Sequence, residues 1–102
     1  MTNIEKYIQN QIKNNKTILY MKGSPQNPIC KYSAIAVNIL NTLNIEYIHV
    51  NVLENQELKK ALTIYSNWHT FPQLYHNENL IGGVDVMAEL QKKNELKNIL
   101  KQ

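Results

Sequence analysis

Thr17-Ile18-Leu19-Tyr20-Met21, residues 17 to 21, is a short and nearly continuous apolar run. Asn14-Asn15 lies before it, and Gly23-Ser24-Pro25 follows one residue after it. A strand with one wet face alternates; a strand buried on both faces does not, so the run reads as a buried parallel strand. Upstream, Ile4, Ile8 and Ile12 share one face with Tyr7 beside them, which predicts an amphipathic helix over 3–14. Downstream, residues 23–28 read as a loop. Residues 31–43 then read as a helix, with Ile35, Ile39 and Leu43 in register. Glu46–Val52 alternates as a strand, and 56–65 continues as a helix. Trp68–Pro72 is a turn feeding a strand at Gln73–His76, and Asn77-Glu78-Asn79 is a hairpin-type connection. Leu80-Ile81 is a short strand stopped by Gly82-Gly83, and helical patterns at 84–91 and 95–101 follow. The order α-β-α-β-α-β-β-α-α predicts an α/β fold: a four-stranded mixed sheet flanked by helices on both faces.

With 102 residues, the chain is expected to form a single domain, 1–102, whose core needs neither disulfides nor metal as staples. No apolar run approaches the ~18 residues a membrane span needs. The polar start, Met1-Thr2-Asn3-Ile4-Glu5-Lys6, shows no secretory pattern. Cys30 is the sole cysteine, so no internal disulfide can form, which fits a reducing compartment such as the cytoplasm. The net charge is +3, and every basic residue is a lysine. The lysines are scattered, which argues against nucleic acid as a partner. An anion site here must use ammonium groups or backbone N–H groups, not guanidinium forks. The abundance of Asn, Ile and Lys, all with A/T-rich codons, reads as genomic drift.

Cys30 falls at or just before a helix N-terminus, where free N–H groups and the helix dipole favour a thiolate. Lys31 is adjacent, Lys22 ends the preceding strand, and the loop follows a strand's carboxyl end, where open α/β sheets place their sites. These features predict an exposed, nucleophilic sulfur with a lowered pKa; the competing reading is a buried structural cysteine. Ser33, three residues on, either donates a hydrogen bond to the thiolate or caps the first helical turn. Pro72 opens a strand, where its missing N–H is not needed, and a cis bond there would turn the Phe71 backbone outward toward an extended ligand. Gly82-Gly83 lets a ligand approach closely, and the N–H groups of Val84 and Asp85 can bind a carboxylate; the alternative is a simple turn capped by Asp85. His49, His69 and His76 lack metal-ligand spacing. Trp68 and the tyrosines read as packing residues.

Taken together, Met21-Lys22-Gly23-Ser24-Pro25, Cys30 with Ser33 and Ala34, Trp68 with Thr70-Phe71-Pro72-Gln73-Leu74, and Gly82-Gly83 with Asp85 resemble a monothiol glutaredoxin of the C-G-F-S type. The resemblance covers essentially the whole chain. It implies a thioredoxin-like fold, glutathione binding and a [2Fe-2S] cluster shared across a homodimer. It also implies transfer of clusters to iron–sulfur client proteins, with BolA-type proteins as partners in iron homeostasis. Such a cluster wants four thiolates; two chains supply two, and two glutathione molecules supply the rest. Cys30 would be both the reactive sulfur and the metal ligand. Lys22 and Lys59 would pair with the glycine carboxylate of glutathione, Phe71 before a cis-Pro72 with its cysteinyl part, and Gly83, Val84 and Asp85 with its γ-glutamyl end.

Several positions depart from the family pattern, among them Tyr32, which stands at the phenylalanine of C-G-F-S. Lys31 takes the place of its glycine, His69 of its proline and Val84 of its second cysteine. Lys31 could crowd a shared cluster, or its charge could stabilise the thiolate or the anionic cluster. The resemblance thus implies an iron–sulfur carrier first. The alternatives are a partner-docking module for BolA-type proteins and a glutathione-dependent thiol-disulfide oxidoreductase. Tyr32 favours the last, because it matches the tyrosine of dithiol glutaredoxins two residues after the nucleophile.

Overall fold

In the computed structural model, which describes residues 2–102, helix α1 (Asn3–Asn14) leads into strand β1 (Thr17–Met21), buried along its whole length. The continuous apolar run is explained by two cores. Ile18 and Tyr20 face one of them, and Leu19 and Met21 face the other. Where a loop is expected after β1, the chain instead makes a small antiparallel ribbon of β2 (Gly23–Ser24) and β3 (Asn27–Pro28). Gly23 adopts φ +91°, and a Cβ there would stand 2.5 Å from the Asn27 carbonyl oxygen. Only glycine fits this tight reversal.

The ribbon returns the chain to α2 (Lys31–Thr42). Its buried stripe is Ser33, Ala36, Val37, Ile39 and Leu40. Ile35, expected to share the buried register, is instead 41% exposed, because it lies well round the helix from the stripe centred on Ala36 and Leu40. Strand β4 (Ile48–Asn51) is shorter than the alternation over 46–52 suggests, because Val52–Glu54 turns into a 3₁₀ helix. The Asn51 side chain ends the strand by accepting from the N–H of Leu53 at 3.0 Å and of Gly23 at 2.9 Å. Helix α3 (Gln56–Ser66), strands β5 (Gln73–His76) and β6 (Asn79–Gly82), and helices α4 (Val84–Lys92) and α5 (Leu96–Leu100) complete the order.

The sheet runs β4-β1-β5-β6, with β1 parallel to β4 and antiparallel to β5, and β5 antiparallel to β6. Ile8 and Ile12 of α1 and Leu58 and Leu62 of α3 cover one face. The stripe of α2, Met87 of α4, and Leu96 and Leu100 of α5 cover the other. The result is the expected four-stranded mixed sheet between two helical layers, a thioredoxin-like architecture. It places the starts of α2 and α4, and the turn before β5, around one cleft.

Candidate functional site

Cys30 is the N-cap residue of α2, in extended conformation (φ −122°, ψ 139°), and its carbonyl accepts the N–H of Ala34 at 3.0 Å. The thiol is partly buried. Burial alone pushes its pKa up. The backbone N–H groups of Ser33 and Tyr32, the Ser33 hydroxyl and the Lys22 ammonium together outweigh that, so the thiol lies below its ordinary value. The expected exposed sulfur is thus partly buried, and of the expectation the lowered pKa is what the surroundings support. Ser33 does not cap the helix, which has no side-chain cap. It is fully buried and accepts the N–H of Lys22 at 3.1 Å, at the end of β1, and its hydroxyl is among the groups that lower the thiol.

Beside this helix start lies a cleft of about 300 Å³. Tyr32 forms one wall, and Thr70, Phe71 and Pro72 line it from the turn before β5. The Phe71–Pro72 peptide bond is cis. Among the described residues, no backbone hydrogen bond outside the helices and strands involves Phe71. Gly83, Val84 and Asp85 form the opposite wall. Gly83 is the N-cap of α4, and no side chain caps this helix, so Asp85 is not its cap. The first N–H groups of the helix are available to an anion.

Six of the eight sequence-derived site residues are thus drawn to one place: Cys30 beside the cleft, and Phe71, Pro72, Gly83, Val84 and Asp85 lining it. Lys22 stands at the end of β1, close enough to act on the sulfur, but does not line the cleft. Lys59 is partly buried on α3, next to Leu58 of the core, and is not part of the lining. Three lining residues, Tyr32, Thr70 and Trp68, escape the sequence reading as site residues. Trp68 reads as packing, yet its indole N–H is buried without a partner beside the cleft. A Cβ at Gly83 would meet that nitrogen at 3.2 Å and the Pro72 carbonyl oxygen at 3.4 Å, which accounts for the glycine. The contiguity of Trp68 with Thr70-Phe71-Pro72 is the one sequence signal that points to it.

The Lys31 side chain lies against Tyr32. Its ammonium lies 5.5 Å from the centroid of the Tyr32 ring, and its charge is not among those acting on Cys30. Among the described residues, no group of three or more His, Cys, Asp or Glu side chains converges on a possible metal position, and no helix is long and apolar enough to cross a membrane.

Comparisons with known proteins place the chain in a family. The glutaredoxin family model matches residues 17–81. The chain is 48% identical over 96 residues to a probable monothiol glutaredoxin 2 of Rickettsia conorii, covering 94% of this chain and 90% of the relative. It is 43% identical over 101 residues to glutaredoxin 4 of Escherichia coli, covering 99% and 87%. Among solved structures, reduced apo GrxS14 of poplar superposes with a TM-score of 0.82 at 37% identity, covering 96% of this chain and 90% of that one. The chain belongs to the glutaredoxin family. With Cys30 as its sole cysteine and Ser33 where a second thiol would stand, it is of the monothiol kind.

Proposed function

We propose that this monothiol glutaredoxin binds glutathione in the cleft beside Cys30 and carries a [2Fe-2S] cluster across a homodimer, delivering it to iron–sulfur client proteins in the cytoplasm. The observation that carries the reading is the junction of a thiolate-favouring Cys30 with a cleft lined by unpaired backbone at Phe71 and an uncapped helix start at Val84 and Asp85. A tripeptide with a carboxylate at each end suits such a site. Its cysteinyl backbone can pair with Phe71 as an added strand would. Its γ-glutamyl carboxylate can take the N–H groups of Val84 and Asp85, while the Asp85 carboxylate accepts from the amino group. Lys22, and more distantly Lys59, would supply positive charge for the glycine carboxylate. The cleft volume is at the low end of the ~300–1,000 Å³ usual for ligand pockets, which matches a small peptide ligand.

The cluster is cargo, and Cys30 would be this chain's ligand to it. No other metal-binding side chains converge among the described residues, so the remaining thiolates must come from outside the chain. The Lys31 ammonium is held over the Tyr32 ring, 5.5 Å from its centroid. Anaerobic reconstitution with iron, sulfide and glutathione tests the reading. A glutathione-dependent [2Fe-2S] absorption and circular dichroism spectrum on a dimer is expected, and Cys30→Ser should abolish it. Colourless, folded monomer would overturn it.

The lowered thiol and Tyr32 in the cleft wall favour a second activity on the same site. The Cys30 thiolate attacks the glutathione sulfur of a mixed disulfide and the client thiolate leaves. A second glutathione thiolate then attacks the Cys30–glutathione bond, freeing Cys30 and glutathione disulfide. Turnover of a small glutathione mixed disulfide measures it. Docking of a BolA-type partner is a third role. A Cys30→Ser variant that still binds such a partner without metal would separate docking from cluster carriage.

A further inference from the structure

Lys31 is the exposed group nearest the site that the proposed chemistry leaves unused. Tyr32, under its ammonium, is a wall of the cleft, but Lys31 itself is not part of the lining, so the charge stands on the rim. Its surroundings there are apolar and open: Ile29 is 61% exposed and Tyr32 50%. No Asp or Glu occurs in the sequence between Lys6 and Ile45. The strand, ribbon and helix that present Cys30 therefore offer Lys31 no carboxylate of their own. The one ion pair among the described residues joins Glu89 of α4 to Lys93, the residue that ends that helix. A molecule that exchanges a thiol or a cluster with Cys30 meets Lys31, the next residue in the chain, with Asp85 as the carboxylate that lines the cleft. A second copy of the chain brings the same lysine, so like charges meet unless an anionic group lies between them.

We propose that Lys31 is a specificity-determining residue, selecting partner proteins that present a carboxylate beside their reacting cysteine and an apolar side chain to cover Ile29 and Tyr32. The inference rests on Cys30 as the point of exchange, and deepens that reading by naming the partner's chemistry. The hold of Tyr32 on the ammonium restricts it before docking, which lowers the entropy lost on pairing. A charge on a rim acts chiefly on the association rate and is screened by salt.

Two synthetic peptides test this, identical except that Asp or Asn flanks their single cysteine, each carried as a 2-pyridyl mixed disulfide. The Cys30 thiolate attacks the peptide sulfur, the S–S bond breaks, and the pyridinethiolate leaves as the thione after taking a proton from water. The Cys30–peptide disulfide that forms keeps the oxidation balance. At low ionic strength the Asp peptide is expected to react about three- to ten-fold faster than the Asn peptide, with the ratio falling toward one at high salt. Lys31→Gln should bring the ratio to one without slowing the Asn peptide, and Lys31→Arg should retain it. Equal rates in the unaltered protein, or a preference that survives Lys31→Gln, would overturn the proposal. The peptides need no glutathione, whose binding is followed in the same samples by Trp68 fluorescence. Loss of that binding with the preference intact would sink the proposed function alone, and the reverse would sink this inference alone.

Discussion

At Cys30, one sulfur is governed by a few neighbours of different kinds. Burial opposes ionisation, and the N–H groups of Ser33 and Tyr32, the Ser33 hydroxyl and Lys22 favour it more strongly. Alkylation by iodoacetamide across pH should therefore show a midpoint below that of an ordinary thiol. Ser33→Ala should raise that midpoint without restoring the ordinary value, because the backbone donors and Lys22 remain. The same substitution strands the Lys22 N–H and should cost about 1 kcal/mol in chemical unfolding. The folded thiol releases its proton at lower pH than the unfolded one. Its contribution to stability is thus present above the ordinary thiol value and is lost as pH falls through the folded value. An unchanged alkylation midpoint in Ser33→Ala would mean that the hydroxyl serves Lys22 alone.

Among the elements, the asparagines read as compositional drift turn out to carry left-handed turns. Asn44 (φ 55°) and Asn94 (φ 61°) follow the ends of α2 and α4. There, Ile45 N–H reaches the Leu40 carbonyl and Glu95 N–H the Leu90 carbonyl, the bonding of a Schellman end. Asn77 (φ 48°) and Glu78 (φ 70°) make the two-residue turn joining β5 to β6. Asparagine tolerates this conformation; glutamate does so at a cost. Glu78→Gly should therefore stabilise the fold by about 0.5–1 kcal/mol, seen as a higher denaturant midpoint with an unchanged slope. Apolar periodicity made most elements legible, because Ile8 and Ile12 of α1, the whole of β1, and Leu58 and Leu62 of α3 fall on buried faces. It could not reveal the ribbon at 23–28, which depends on Gly23 backbone geometry rather than on side chains. Nor could it end β4 at Asn51, where one amide oxygen stops the strand.

For the whole molecule, the two phenols in the α1–α3 core set an alkaline limit. Burial pushes Tyr75 up to about 12 and Tyr20 higher still, and Tyr20 O–H donates to Gln11 Oε1 at 2.6 Å. Unfolded phenols ionise near ~10. The stability from both groups is full below that value and is lost as pH rises toward and through the folded values. Circular dichroism should record cooperative alkaline unfolding that coincides with tyrosinate absorbance, and Tyr75→Phe should reduce the loss of stability with pH. The chain's motifs identified Cys30, Phe71, Pro72, Gly83, Val84 and Asp85 before their convergence could be seen. The wall role of Trp68 needed three-dimensional placement, since nothing in its spacing separates a cleft wall from core packing, whereas Tyr32 already matched the tyrosine two residues after a dithiol nucleophile. That convergence is the central claim, and an amide chemical-shift titration with glutathione tests it most directly. The account predicts saturable shifts at Tyr32, Phe71, Gly83, Val84 and Asp85, with α1 and α5 unmoved. No saturable shift, or shifts confined to the groove at Lys16, Thr17 and Glu46, would contradict it.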